Sequence, residues 1–215
     1  MNTKEILNSL TDYNTLLQSK DKNVIKAIFA NANSIEFPEV NFTDLHKEEH
    51  INLYIGLTGN TLIGVLHKGS QDALSDIIAG EEVYTATFTN DSCFTGPIYQ
   101  PETETSIDSY HAISVVNRWT SSKNNWVEET YADDNIVRVF QIPVADIANN
   151  TNNKAIFGLI VLEDNSLEVD LVIANEVGLF DLVRPSPPYG GWPPIPEKKP
   201  KELKPKPKSF ELAEN

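Results

Sequence analysis

Apolar residues recur every three or four positions at the start of the chain: Ile6, Leu7, Leu10, Tyr13, Leu16 and Leu17. That spacing draws one stripe along a helix of period near 3.6. The polar run Lys20-Asp21-Lys22-Asn23 interrupts it. Val24, Ile25, Ile28, Phe29 and Ala32 then resume the pattern, with Asn31 and Asn33 as stop signals. Two amphipathic helices joined by a short polar link read as an αα-hairpin. Each has a single apolar stripe to bury, so the hairpin is expected to be integral to the core.

Pro38 breaks the chain, and Thr43 or Asp44 offers an N-cap to the short polar stretch from Leu45 to Glu49. From His50 the period becomes two. Asn52 to Leu57 and Thr61 to Leu66 flank Thr58-Gly59-Asn60, whose residues accept positive φ; this is the clearest β-hairpin in the chain. Gln71 to Ala79, between Ser70 and Gly80, reads as a short helix. Glu82 to Thr89 alternates as a strand, and Asn90 to Glu104 reads as a loop.

Ala112, Val115, Val116 and Trp119 restore the helical period and end it on an aromatic anchor. Lys123-Asn124-Asn125 separates this helix from Trp126-Val127, which opens either another turn or a strand. Asn135 to Ile142 is β-rich, and Pro143 to Ile147 makes a helical turn. Ala155 to Leu162 and Leu167 to Ala174 form a second hairpin, and Leu179 to Val183 a last short strand. Both hairpins carry a glycine in the same setting, Ile55-Gly56-Leu57 and Phe157-Gly158-Leu159. Their spacing and flanks differ, so shared hairpin grammar is the expectation, not an internal duplication.

After Val183 the composition shifts: nine of the 13 prolines lie in 185–207. Proline at that density favours extended polyproline II over helix or sheet. The organisation expected is therefore one α+β domain over 1–183, an extended Pro/aromatic arm over 184–196, and a Lys/Pro/Glu-rich tail over 197–215. The domain should hold a mainly antiparallel sheet of about six strands, packed on one face against the N-terminal helical hairpin and the central helix.

Charge sharpens this division. The chain carries −14. Six lysines and four glutamates in 197–215 make the tail +2 and leave −16 on residues 1–196. An acidic body repels phosphate backbones and anionic headgroups, so neither nucleic acid nor a membrane is an expected partner. No stretch approaches the roughly 20 apolar residues of a membrane-spanning helix. The first residues lack the charged and apolar regions of a signal peptide, and a single cysteine, Cys93, suits a reducing compartment. A cytoplasmic location is the expectation.

Candidate chemistry is sparse. His46-Lys47-Glu48-Glu49-His50 sets two imidazoles four residues apart, the spacing of two metal ligands on one helix face. Lys47 stands where a zinc protease carries its general base. Cys93, with Asp108 and His111 further along, supplies the residue types of a thiol nucleophile site. No phosphate-cradling glycine pattern and no nucleophile elbow occurs, so no cofactor is expected. The stronger hint concerns binding. Pro187, Pro188 and Tyr189, then Trp192, Pro193 and Pro194, resemble Pro/aromatic segments that dock in aromatic-lined grooves. The sequence thus points to a non-enzymatic interaction or structural protein whose arm docks on a partner or neighbouring subunit. A small hydrolase-like enzyme, using Cys93 with His111 or a metal at His46 and His50, is the alternative.

Overall fold

The computed structural model describes residues 1–19, 21–39, 49–68, 83–93, 107–132, 136–148, 151–180 and 184–186. The helix expected over Gln71 to Ala79, most of the stretch from Leu45 to Glu49, and everything after Ser186 lie outside those residues. Three α-helices start on side-chain caps. In α1 (Thr3–Gln18) Asn2 and Glu5 form a reciprocal capping box. In α2 (Lys22–Phe29) Asp21 accepts from the Asn23 and Val24 amides. In α3 (Ser109–Ala132) Asp108 accepts from those of Tyr110 and His111. The central helix therefore does not end before Lys123. Trp126 falls seven residues beyond Trp119 on the same face, and burying both rings outweighs the weak helix propensity of Asn124 and Asn125.

Among the described residues nine strands form one antiparallel sheet, against about six expected. They are β1 (Ser34–Glu36), β2 (His50–Thr58), β3 (Thr61–Lys68), β4 (Tyr84–Thr89), β5 (Val139–Pro143), β6 (Lys154–Val161), β7 (Leu167–Ala174), β8 (Leu179–Phe180) and β9 (Arg184–Ser186). Their order is β8-β7-β6-β1-β4-β3-β2-β5-β9. Both expected hairpins are present. In β2–β3 the turn carries Gly59 at positive φ, and in β6–β7 Asn165 takes that conformation.

Register puts one apolar row after another on the inner face. Leu53 pairs with Leu66 on one side and Phe140 on the other; Ile35 lies between Phe88 and Ala155, and Phe157 opposite Leu171. The outer β8 and β9 strands are joined by residues 181–183 alone. Four chain steps span at most about 14 Å, so the two ends of a nine-stranded sheet are forced towards each other, and β9 reaches β7. The antiparallel sheet is curled, so that its two ends approach each other. Its interior is filled by rings: Trp119 stacks on Phe157 at 4.8 Å between centroids, Trp126 lies 5.3 Å from Trp119, and Phe29 stands edge-on to both.

The helices do not share one face, as the sequence suggested. The first half of α3 covers the outer side of the sheet, Ala112, Val115 and Val116 against Ile156, Val172 and Leu179. Its second half, with Trp119 and Trp126, belongs to the inner cluster. The change of side occurs at the start of β1, beyond which β6 has no strand partner on that side among the described residues. There the Phe157 amide donates to Asn33 O at 3.0 Å, and Arg118 Nη1 reaches the Leu159 carbonyl. In the same way α1 sets Ile6 and Leu10 against Tyr54, Val65 and Val139 outside, then Tyr13 and Leu17 in the inner cluster.

Such close passage needs small residues. A Cβ on Gly56 would lie 2.7 Å from Ser9 Oγ, and one on Gly158 3.1 Å from a Val115 methyl. Gly56→Ala is expected to destabilise the fold by about 1–3 kcal/mol through overpacking. Ser9→Ala removes the nearest atom and should restore part of that loss. A double-mutant cycle by urea denaturation checks it; strictly additive effects would show that this contact does not set the helix–strand spacing.

Candidate functional site

The Pro-rich segment starts inside the sheet. Arg184, Pro185 and Ser186 pair with Gln141, Phe140 and Val139 of β5. Proline has no amide to give a ladder, and it is tolerated here because β9 pairs with β5 alone, as an edge strand. The arm thus begins from a fixed root. Pro187, Pro188, Tyr189, Trp192, Pro193 and Pro194 themselves lie outside the described residues, as does the tail.

Cys93 lies exposed just beyond β4. Its amide donates to Asp91 Oδ1 at 2.9 Å, and Asp91 Oδ2 pairs with Lys154 Nζ from β6. The hydrogen bond from Lys154, and then that from the Cys93 amide, hold the Asp91 carboxyl down at about 2. Cys93 is therefore associated with an acidic partner already neutralised by lysine. Asp108 and His111 are brought together elsewhere: the Asp108 carboxylate caps α3 and accepts the His111 backbone amide at 2.9 Å. No hydrogen bond among the described residues joins Cys93 to either of them.

His50 opens β2 half-buried, while His46 lies outside the described residues. Among the described residues no group of three or more His, Cys, Asp or Glu side chains is placed to hold a metal ion.

One small cavity escapes a reading of motifs. It measures about 10 Å³ and is lined by Leu10, Tyr13, Asn14, Tyr54, Ile55 and Arg138, where α1 passes from outside to inside. That volume holds about one water molecule. Asn14 Oδ1 is buried there without a hydrogen-bond partner. Tyr13 donates to Val137 O at 2.9 Å, and burial drives its hydroxyl pKa far above the ordinary range, with the Arg138 charge acting in the opposite sense. The signal was available: Asn14, one turn after Leu10, interrupts the apolar stripe of α1 with an amide.

Removing Lys154 should release Asp91. With Lys154→Met, carbon NMR of the carboxyl is expected to show its pKa rising from about 2 towards the usual 3.8. Because the folded-state value is depressed, the pair's contribution is present above the ordinary carboxylate pKa. It is lost as pH falls from about 4 to about 2. The carboxylate is exposed, so the accompanying stability change is small. An unmoved pKa would show that Lys154 does not set the charge state beside Cys93.

No family model matches the chain, and neither a curated protein nor a solved structure matches it, so its function has to be argued from its own residues.

Proposed function

We propose that the protein is an interaction protein, an acidic folded body that presents a Pro/aromatic arm to a second protein surface. The observation that carries this reading is the pairing of β9 with β5, which fixes the root of the arm to the sheet. An arm fixed at one end loses less freedom on docking than one on a loose linker, and polyproline II is already extended. Tyr189 and Trp192 supply the apolar area such a segment can bury, and the lysines after them complement an acidic surface. The body, at −16, offers one such surface on every neighbouring copy. Residues 187–208, at about 3.1 Å each, reach on the order of 70 Å, farther than the width of a domain of this size.

The test keeps β9 in place by ending the chain after Ser186. Light scattering at low and high salt compares its mass with that of the full chain, and a peptide of residues 187–208 is titrated into it. The full chain is expected to exceed monomer mass at low salt and to lose the excess at high salt, with the truncated chain monomeric throughout. The peptide should bind the truncated chain with a shift in Trp192 fluorescence that salt weakens. Equal monomeric masses, no peptide binding and no protein retained by the full chain alone would overturn the reading.

A further inference from the structure

We infer that the curled sheet is assembled from two half-chains of one architecture whose first strands each cross to pair with the other half, so that each half is an incomplete unit whose partner is the other. Read across the sheet, β4-β3-β2 is followed by β5, and β8-β7-β6 by β1. Each half therefore supplies three strands of its own run, and its first strand crosses to pair with the other half's run: β1 pairs with β6 while keeping β4, and β5 pairs with β2 while keeping β9.

The correspondence extends to single bonds. Asn2 Oδ1 accepts the Glu5 amide at the start of α1, and Asp108 Oδ1 accepts the His111 amide at the start of α3. Gly56 faces Ser9 and Gly158 faces Val115, each glycine following directly on the residue whose amide crosses to the other half, Ile55 or Phe157. One turn further on, both helices place a buried aromatic donor. Tyr13 OH reaches Val137 O at 2.9 Å, and Trp119 Nε1 reaches Ala32 O at 2.9 Å. Those carbonyls stand at equivalent places, two residues before β5 and β1 begin. The next carbonyl in each case accepts a cross-half amide, Ile55 N–H to Arg138 O at 2.9 Å and Phe157 N–H to Asn33 O at 3.0 Å. Strand partners match as well: Leu66 faces Tyr84 where Ile173 faces Phe180.

The shared glycine of the two hairpins is thus one member of a larger set, and duplication of the architecture replaces coincidence of turn grammar. Linker lengths conceal it. The β2–β3 turn has two residues and the β6–β7 turn five; α1 and α2 are separate where α3 is continuous. No single offset aligns the halves.

Crossing of the first strands has a consequence that two side-by-side domains would lack. Without the second half, β2 loses β5, Tyr13 loses its acceptor, and β1 loses β6; without the first, β6 loses β1 and Trp119 loses Ala32. Neither half is complete by itself.

The experiment uses the full-length chain with a site-specific protease sequence inserted after Gln100, between the halves. After cleavage the two pieces are expected to elute as one 1:1 particle and to melt in a single transition. Separated in denaturant, each piece alone should show no cooperative melting and no near-ultraviolet dichroism, and mixing them should restore both. Pieces that part under native conditions, or either piece melting cooperatively alone, would overturn the inference. Should the insertion itself unfold the uncleaved chain, residues 1–100 with a tag and 101–215 without are co-expressed. Recovery of a 1:1 complex that melts once supports the inference, and recovery of the tagged piece by itself overturns it.

Discussion

Trp119 has no exposed surface, and its ring touches parts of the chain that no local pattern would bring together. It stacks on Phe157 of β6, meets Phe29 at the end of α2 edge-on, and donates its indole N–H to the carbonyl of Ala32 just before β1. A buried carbonyl left unpaired costs roughly 1–3 kcal/mol, so this donor helps decide where β1 can begin. With β1 set, its three residues can bridge β4 and β6, which belong to different halves of the chain. Tyr13 does the same for β5 through Val137 O. The curled sheet depends on these two long-range aromatic donors as much as on its own ladders.

Packing explains why the donors reach. Each helix has to run outside the sheet and then enter it, which is feasible only where a strand's neighbour stops and its edge lies open. Gly56 and Gly158 mark those places, since a side chain at either would push the helix away. On the outer side the helices bury Ile6, Leu10, Ala112 and Val116; on the inner side they deliver rings to the concave face of the curled sheet. The apolar stripe seen in α1 is therefore divided between two clusters. Asn14 falls at that division, which accounts for an amide in an otherwise apolar row.

Much of this was open to a reading of the sequence, and the exceptions share a cause. The β2–β3 and β6–β7 hairpins announce themselves because both strands and turn are local, with alternation on either side of Gly59 and Asn165. The α1 and α2 helices show clear helical periods, with Asn14 a polar residue in the row of α1. By contrast β1 has only three residues, too few for a period, and its partners lie in β4 and β6. The continuation of α3 was masked by Lys123, Asn124 and Asn125; the two asparagines are exposed, and Lys123 is half-buried, its ammonium donating to Ala30 O and Asn33 Oδ1. Only tertiary burial of Trp126 and Val127 carries the helix past them. Among site candidates, adjacency in sequence joined Cys93, Asp108 and His111. In the fold, Asp108 serves the backbone of α3 and Cys93 serves Asp91. Capping grammar, an aspartate just ahead of an apolar period, was the better guide to Asp108.

The two ends of the curled sheet tie the architecture to the arm. β8 and β9 are separated by three residues in sequence yet stand at opposite ends of the sheet order. β9 is therefore held on one side by β5 and at its start by covalent linkage to β8. Pro185 sits within it at no cost in ladder bonds, because an edge strand leaves one row of amides unpaired in any case. The same proline withholds an amide from any further strand that would add to that edge, which limits edge-to-edge pairing between copies. A chain leaving at Ser186 inherits this arrangement. Force or binding energy applied to the arm acts first on three residues of β9, then through β5 on β2, the strand that α1 crosses. Arg184 to Ser186 are thus coupled, through β5 and β2, to the region where the two halves of the fold interlock.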